Sequence, residues 1–330
     1  MKRAFATPIL ARLASLAGVK VKVEPHYGYA GQITLPDGRK RYFRGTNFDL
    51  NGLGASEIAK DKDYANFFLA EMGYPIIEGR AFFSPEWAQT IRSRLSLHAA
   101  YAYAKRLGFP VVVKPNSLSQ GSGVAKVYNR KEFFQAARAI CKKDRVFLVQ
   151  RVALGRDYRV VVLDGEVISA YERLPLQVVG DGRSTISRLL RQKQEQFERS
   201  GRDTAIKQAD FRITSHLKRQ GMTRRSVPAK GQVVTLLDNR NLSSGGDAVD
   251  VTQKIHPTFR QLCVRLVSDM GLRYCGVDFM VEWSLEQPVG GYRVIEVNAA
   301  PGIDNYANVG AKQRRIVESM YLKILKALAK

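Results

Sequence analysis

The sequence has few acidic residues, few cysteines and histidines, and no long apolar run. Its 30 Asp and Glu residues stand against 53 Lys and Arg, which leaves a net charge of +23. Such a charge favours polyanionic ligands: nucleotide phosphates, an acidic peptide or nucleic acid. Three cysteines and four histidines show no metal-ligand spacing, so we expect buried free thiols rather than disulfides or a zinc site. No run approaches the roughly 20 apolar residues of a membrane span, so no membrane partner is expected.

The length and composition indicate an ordinary globular protein. A chain of 330 residues with 45% hydrophobic and 25% charged residues is expected to form two or three packed subdomains. The first residues superficially resemble a signal peptide, but Arg12 interrupts the apolar run, so we predict an amphipathic helix and a cytoplasmic protein. Basic residues recur at 202–225 and 312–330 without an RNA-binding motif, which disfavours nucleic acid as a partner.

Local patterns predict helices mixed with strands that are joined as hairpins. Strands are expected over residues 20–46, around a turn at 35–38. Two further strands, at 157–164 and 166–171, are joined by the hairpin signal Asp164-Gly165. Adjacent hairpins disfavour a doubly wound Rossmann sheet, and the predicted fold class is α+β.

Two other segments have recognisable patterns. A helix is predicted to begin after Asp61 or Asp63 and to bury Phe68, Leu69 and Met72. The segment 200–250 is polar and rich in Gly, Arg and Ser. It is long for a connection, and loops of that length are often functional.

The stretch 111–124 is the first candidate for chemistry. A β-branched strand ends at Lys114, and a Gly/Ser turn follows over residues 119–123. Glycines let backbone N–H groups approach phosphate oxygens, and a fixed cation opposes the phosphate charge. The pattern is neither a P-loop nor a dinucleotide motif. By itself it is also consistent with an ordinary hairpin.

Two apolar strands near the C-terminus carry the second candidate. Asp278 lies in one of them, and Glu296 and Asn298 lie two residues apart on the same face of the other. If the strands are neighbours, three oxygen ligands converge, as in a Mg²⁺ site. The alternative is that the two carboxylates pair with arginines on a sheet surface.

The segment from Gln150 to Arg159 is the third candidate. A strand ends, the chain turns through Gly155, and a second strand begins with Asp157. Exposed backbone at such a strand end can hydrogen-bond an adenine edge, and a carboxylate can accept from ribose hydroxyls. By itself the segment is also consistent with a plain turn between strands.

These stretches together resemble the ATP-grasp superfamily. The resemblance rests on the order DK, VVVKP with a Gly/Ser loop, QRVALGRDYR, GVDFM and IEVNAAPG. The ATP-grasp module of cyanophycin synthetase is the most similar, through phrases such as DYRVVVLDGEVISAYERLP, VVGDGRSTISRLL and NLSSGGDAVDVT. The ligase module of bifunctional glutathione synthetases is also similar. The match covers roughly residues 56–310 and recurs at several separated motifs.

The resemblance implies a role for each motif residue. The expected nucleotide contacts are two phosphate-binding lysines, a glycine loop, an adenine segment and a ribose acid: Lys62 and Lys114; Ser119, Gly121, Ser122 and Gly123; Gln150, Arg151 and Val152; Asp157. The expected catalytic cations, facing the transferred phosphate or the substrate carboxylate, are Lys114, Arg159 and Arg173. The expected metal ligands are Asp278, Glu296 and Asn298.

The resemblance also implies a fold and an activity. Two α+β subdomains would grip ATP within residues 61–330, with 96–152 as the small lid subdomain and 1–60 as a short N-terminal segment. An ADP-forming ligase of this kind uses ATP and Mg²⁺, with Mn²⁺ as the alternative metal, to join a carboxylate to an amine through an acyl phosphate. The charge favours an amino acid or acidic peptide substrate. A nucleotide-binding regulatory or scaffold protein is the alternative, and a homo-oligomer is left open.

Overall fold

The computed structural model describes residues 5–118, 121–202 and 204–329. Within those ranges, no helix has the length and apolar character that crossing a membrane requires. The N-terminal elements are α1 (Ala6–Leu13), β1 (Lys20–Val23), β2 (Ala30–Thr34), β3 (Lys40–Arg44) and β4 (Asn47–Phe48). The strands form one antiparallel sheet in the order β1-β2-β3-β4. The strands and turn predicted over residues 20–46 are confirmed.

Two short helices follow, α2 (Leu53–Lys60) and α3 (Lys62–Glu71). The helix predicted after Asp61 is confirmed, and the Asp61 carboxylate caps it by accepting from the N–H groups of its first turn. Leu69 is buried, but Phe68 and Met72 are 43% and 37% exposed, so their predicted burial is wrong. The packed face of α3 runs through Ala65 and Leu69, and Phe68 lies about 100° around the helix from Leu69.

The next unit is a four-stranded antiparallel sheet with helices against it. Its elements are β5 (Gly79–Phe83), α4 (Pro85–Thr90), α5 (Leu97–Leu107), β6 (Val111–Pro115), β7 (Ala125–Val127), α6 (Arg130–Cys141) and β8 (Val146–Arg151). The strand order is β5-β8-β6-β7. Apolar side chains of the strands and of α5 and α6 form its own core, which includes Val113, Phe133 and Phe147. This unit contains the predicted lid; its movement stays a prediction.

The rest of the chain builds a five-stranded antiparallel sheet with an inserted unit. The elements are β9 (Arg156–Leu163), β10 (Glu166–Leu174), β11 (Gln177–Val179), α7 (Ile186–Arg199), α8 (Phe211–Arg219), β12 (Val233–Thr235), β13 (Asp247–Asp250), α9 (Pro257–Asp269), β14 (Tyr274–Val281), β15 (Tyr292–Asn298), α10 (Asp304–Ala307) and α11 (Ala311–Leu328). The sheet order is β13-β10-β9-β14-β15. The predicted hairpin at Asp164-Gly165 is confirmed, with both residues at positive φ. The α+β class is also confirmed.

The inserted unit comprises β11, α7, α8 and β12, and it has a small core of its own. Part of it falls in the segment 200–250, which the sequence presents as a polar connection. The structure instead places α8 there, with Ile213 and Leu217 buried. The short apolar stripe of α8 is easily missed in sequence because basic and polar residues surround it.

Candidate active site

One face of the five-stranded sheet carries a row of charged side chains. The register pairs Asp278 on β14 with Arg159 on β9 and with Glu296 on β15. It also pairs Arg173 on β10 with Asp157 on β9. Cross-strand partners lie on the same face of a sheet. The register therefore gathers five predicted site residues from four strands.

Asp278 is the centre of this row. Its carboxylate accepts from Nε and Nη2 of Arg159, both at 2.6 Å, and it lies 3.0 Å from Nη1 of Arg173. The side chain is 1% exposed. Burial alone would raise the pKa of Asp278, but the two guanidinium groups outweigh it and hold that pKa below its ordinary value. Asp278 is therefore an ionised carboxylate between two arginines, the alternative that the sequence left open.

Asp157, the predicted ribose acid, faces the same network. Its Oδ1 accepts from Nε and Nη2 of Arg173 at 2.9 and 2.6 Å. Arg173 thus bridges Asp157 and Asp278, and it is almost fully buried. A ribose hydroxyl would have to share this carboxylate with Arg173. The ribose role of Asp157 stays a prediction.

Glu296 is held more loosely than Asp278. Its carboxylate lies 3.7 Å from Lys62 Nζ and 3.8 Å from Arg159 Nη2, and its side chain is 24% exposed. Asn298 donates from Nδ2 to Glu296 Oε1 at 3.3 Å. Glu296 therefore has oxygen lone pairs free for another ligand, and Asn298 adds an amide oxygen beside it.

The donors present fit a magnesium ion. Across the described ranges, no three His, Cys, Asp or Glu side chains come together as a metal-binding group. The candidate set contains two carboxylates, Asp278 and Glu296, and the Asn298 amide. Mg²⁺ binds one or two protein carboxylates and completes its shell with water and substrate phosphates. Asp278 would then have to share its oxygens with Arg159 and Arg173.

Lys62 connects the five-stranded sheet with the four-stranded unit. Its Nζ donates to the carbonyl oxygens of Asn116 and Leu118, at 3.2 and 2.9 Å, while it faces Glu296 on its other side. Lys62 is in the first turn of α3, and Asn116 directly follows β6. A cation is therefore fixed where the two units meet.

Lys114, on β6, is the second cation at this junction. It is 5% exposed, and no described residue forms an ion pair or hydrogen bond with its ammonium group. Burial lowers the pKa of Lys114 to about 8, although the nearby charge of Glu296 raises it. An ammonium group buried without a direct partner is costly. It is well suited to an anionic ligand that enters from solvent.

The glycine loop lies against the segment that follows the inserted unit. Ser119 falls outside the described residues. Gly121 and Gly123 have φ values of 67° and 76°, and a Cβ on Gly121 would lie 1.8 Å from Nδ2 of Asn241. A side chain at residue 121 would require Asn241 to move and would be strained at this positive φ. Ser122, between the two glycines, is exposed.

The predicted adenine segment is only partly available. Gln150 is buried on β8, and Val152 lies just past the end of that strand. The backbone N–H of Arg151 already donates to the carbonyl of Glu78 at 2.8 Å. Its side chain binds Glu78 and the Leu107 carbonyl. The Arg151 N–H is therefore used in the sheet pairing, and the adenine role of the peptide at Arg151 and Val152 stays a prediction.

Sequence reasoning missed two residues at this site. Asn116 is buried; its amide donates to Asp61 at 2.6 Å, and its oxygen accepts from the Asp63 N–H at 3.0 Å. Arg240 donates to the carbonyl of Gly155 at 2.8 Å. Burial raises the pKa of Asp157, and the positive charge of Arg240 opposes that rise. Asn116 immediately follows the VVVKP motif, which was the available signal. Nothing in the local sequence marks Arg240.

The fold and this site define a class of protein. A family model described as the D-ala D-ala ligase C-terminus matches residues 68–227. The solved bifunctional glutathione synthetase from Pasteurella multocida superposes with a TM-score of 0.62 at 27% identity, covering 97% of this chain and 44% of that chain. The chain belongs to the ATP-grasp superfamily, and the resemblance found in its motifs is confirmed.

Two curated relatives refine the placement. Cyanophycin synthetase of Trichormus variabilis is 35% identical over 263 residues, which are 78% of this chain and 28% of that protein. The glutathione biosynthesis bifunctional protein of Mannheimia succiniciproducens is 31% identical over 255 residues, which are 74% of this chain and 32% of that protein. The chain thus spans less than a third of the length of each of these two relatives.

Proposed function

We propose that the chain is an ATP-dependent carbon–nitrogen ligase that activates a carboxylate as an acyl phosphate and joins it to an amine. The observation that carries the proposal is the buried Lys114, which has no direct partner among the described residues and lies beside the row of Asp278, Glu296 and their arginines. Cations from two separate units meet carboxylates at one junction. Such a junction suits a polyphosphate and the oxygen ligands of its counter-ion.

The proposed nucleotide contacts rest on the family resemblance, and the placement of the two lysines and the glycine loop supports them. Lys62 and Lys114 neutralise phosphate charge from the two sides of the junction. Gly121 and Gly123 bring backbone N–H groups close to phosphate oxygens. Gln150 and the backbone at Val152 are assigned to adenine, and Asp157 to the ribose.

The proposed metal ligands are Asp278, Glu296 and Asn298, with Mg²⁺ as the ion and Mn²⁺ as the alternative. When bound, such an ion neutralises phosphate charge and orients the oxygens around the transferred phosphorus. Glu296 and Asn298 present oxygen atoms that other contacts do not saturate. These two residues are therefore the ligands that we assign to the ion first.

Arg159 and Arg173 are assigned to the reacting groups. A carboxylate oxygen attacks the γ-phosphoryl group of ATP, the bond to the β-phosphate oxygen breaks, and ADP leaves. Both reactants are anions, so positioned guanidinium groups lower their repulsion. The amine then attacks the acyl carbon, the bond from that carbon to the phosphate oxygen breaks, and phosphate leaves as the amide forms. Closure of the four-stranded unit would keep water from the acyl phosphate.

We propose an amino acid or an acidic peptide as substrate. The support is electrostatic: a net charge of +23 raises the local concentration of anions, and salt screens that effect. The test is the Michaelis constant for acidic and neutral acceptors across a salt series at saturating ATP. A preference for neutral acceptors, or a salt-independent constant for acidic ones, would count against an acidic substrate.

The activity itself is tested by ADP release. Purified protein with ATP and Mg²⁺ is screened against amino acids and acidic peptides, and products are identified by mass spectrometry. We expect ADP release that depends on a carboxylate and an amine. The product mass should equal the sum of the two substrates less one water. Tight ATP binding without turnover on any pair would favour the regulatory or scaffold alternative. The wild-type chain without acceptor is the control for background hydrolysis.

A further inference from the structure

The four-stranded N-terminal sheet has one buried face and one face open to solvent. Ile33 and Phe43 belong to the core that the sheet shares with α1 and α11. Side chains alternate between the two faces of a strand, and cross-strand partners share a face. The open face, which we call the outer face, therefore carries two cations, an amide and a tyrosine: Lys22, Gln32, Tyr42 and Arg44.

An open groove lies along the outer face. Its volume is about 640 Å³, and Lys22, Tyr42 and Arg44 are among the residues that line it. Ligand sites commonly occupy roughly 300–1,000 Å³. Gln32 donates from Nε2 to the Tyr42 hydroxyl at 3.0 Å, which holds the tyrosine ring in place. Tyr42 is 56% exposed, so its ring offers an apolar surface to a ligand.

The outer face is positively charged. Lys22 and Arg44 are exposed, and neither forms an ion pair with any residue that the structure describes. Lys20 and Lys40 are also exposed and extend the same face beyond Lys22. Cations gathered on one face raise the local concentration of anions. The ligand that this surface fits is therefore anionic.

The groove also contains two carboxylates, Glu24 and Asp49. Both are engaged with backbone N–H groups. Asp49 accepts from Tyr42 at 2.8 Å, and Glu24 accepts from Tyr27 and Gly28 at 3.0 and 3.1 Å. A peptide suits such mixed walls, because it presents backbone N–H groups as well as acidic side chains. A nucleic acid carries a phosphate at every nucleotide and would be repelled by both carboxylates.

The turn beside Arg44 connects the groove with the candidate active site. Thr46 follows Arg44 by two residues, and its Oγ1 donates to the carbonyl oxygen of Ala300 at 3.1 Å. Ala300 in turn comes two residues after Asn298, one of the proposed metal ligands. A peptide that leaves the proposed reaction site across this loop reaches Arg44 first.

We propose that the groove binds the part of an acidic peptide substrate that extends beyond the reacting residue. The inference rests on the proposed function for the reaction itself. Arg44 pairs with a carboxylate near the site, Lys22 pairs with one further along, and the chain between them packs on Tyr42. A longer acidic peptide is therefore bound more tightly than a single acidic amino acid.

The first test measures binding without catalysis. A fluorescein-labelled oligo-aspartate peptide is titrated with protein in the absence of ATP and Mg²⁺, and its anisotropy is followed. The variant combines Lys22→Gln and Arg44→Gln. The matched control combines Lys131→Gln and Arg138→Gln, which remove one exposed lysine and one exposed arginine from α6. Both variants lower the net charge equally, so they separate the groove from general attraction.

The groove variant should bind the peptide roughly 10-fold more weakly than the wild type, and the control should stay within roughly two-fold. Added salt should weaken binding by the wild type. An equal loss in both variants, or no binding by the wild type, overturns the proposal. An oligonucleotide that competes for the groove and binds more tightly than the peptide also overturns it.

The second test locates the contact. A water-soluble carbodiimide activates the peptide carboxylates, and a lysine amine in contact attacks the activated carbon, forms an amide and releases a urea. Mass spectrometry of the digested product should find the peptide on Lys22 in preference to Lys131. Equal yields on both lysines, or linkage mainly at Lys131, would contradict the assignment of the groove.

Neither readout requires turnover. Peptide bound in the groove without ADP release would contradict the ligase activity and leave the groove standing. ADP release with an acidic peptide that the groove does not bind would contradict the groove and leave the ligase activity standing.

Discussion

Two arginine–aspartate pairs lie on the five-stranded sheet and its hairpin with nearly the same geometry. Arg159 binds Asp278 through two contacts of 2.6 Å. Arg273 binds Asp164, at the β9–β10 turn, through contacts of 2.7 and 2.9 Å. The first pair is buried, whereas the Arg273 side chain is 47% exposed. Burial, not hydrogen-bond geometry, decides how strongly the protein depends on each pair.

The comparison predicts that Asp278→Asn has the largest effect. Two buried guanidinium groups lose their central carboxylate, which costs about 3–5 kcal/mol of unfolding free energy. Turnover should fall by about 100-fold or more as metal placement weakens. Urea unfolding and ADP release measure the two losses. Wild-type turnover would remove Asp278 from the proposed metal site, and wild-type stability would mean that the two arginines do not depend on it.

Glu296→Gln should separate activity from stability. The carboxylate is partly exposed and its nearest cations are 3.7 and 3.8 Å away, so we expect a stability change within about 1 kcal/mol. Turnover should still fall by about 100-fold, because a metal ligand is lost. ADP release across a Mg²⁺ titration is the measurement. A loss of unfolding free energy as large as for Asp278→Asn would contradict the expectation that partial exposure and longer contacts make this substitution mild.

Lys114→Met is expected to raise stability and weaken ATP binding. Because burial lowers the native pKa of Lys114 to about 8 from 10.5, the unfolded chain binds more protons between those values. Wild-type stability therefore rises with pH across that window, and at pH 7 the charged lysine costs up to about 3 kcal/mol. ATP affinity should fall roughly 10-fold in the variant. In the wild type it should fall as pH rises above 8.

Unfolding curves and ATP titrations at several pH values check the lysine. The stability difference between wild type and Lys114→Met should shrink as pH approaches 10.5. Equal ATP affinity in both proteins would make Lys114 a structural residue only. A wild type whose ATP affinity is constant from pH 7 to above pH 8 would contradict the lowered pKa.

The smallest effect is expected for Asp164→Asn. The pair with Arg273 is largely solvated, so its loss should change the unfolding free energy by at most about 1 kcal/mol. ADP release should match the wild type, because the residue lies at the turn end of the hairpin. A loss of unfolding free energy comparable to that of Asp278→Asn would contradict the conclusion that burial decides the strength of the two pairs.

Much of the fold could be predicted from local sequence because turns and periodicity act locally. Asp164-Gly165 adopts positive φ and joins two antiparallel strands, as the hairpin signal indicated. The prediction failed for Phe68 and Met72 on α3. This helix has apolar residues on two sides, and the pattern does not indicate which side is buried. It also missed α8, whose stripe is short.

For the candidate site too, some features could be predicted from the sequence and others could not. Period-two alternation put Glu296 and Asn298 on one face, and the motif order indicated an ATP-grasp protein. The partners of Asp278 could not be predicted, because Arg159 and Arg173 come from other strands and only the register selects them. Likewise, the donation of the Arg151 N–H to Glu78 depends on a strand that lies about 70 residues earlier in the chain.

The sequence by itself determined many of the elements, the superfamily and the residue types that can bind phosphate and metal. These follow from backbone preferences and motif order, which are properties of neighbouring residues. Only the tertiary structure decided that Lys62 and Lys114 meet at one junction, that Asp278 lies between two arginines, and that Phe68 and Met72 are partly exposed. Such arrangements depend on packing between distant segments, and packing energies are set by burial rather than by position along the chain.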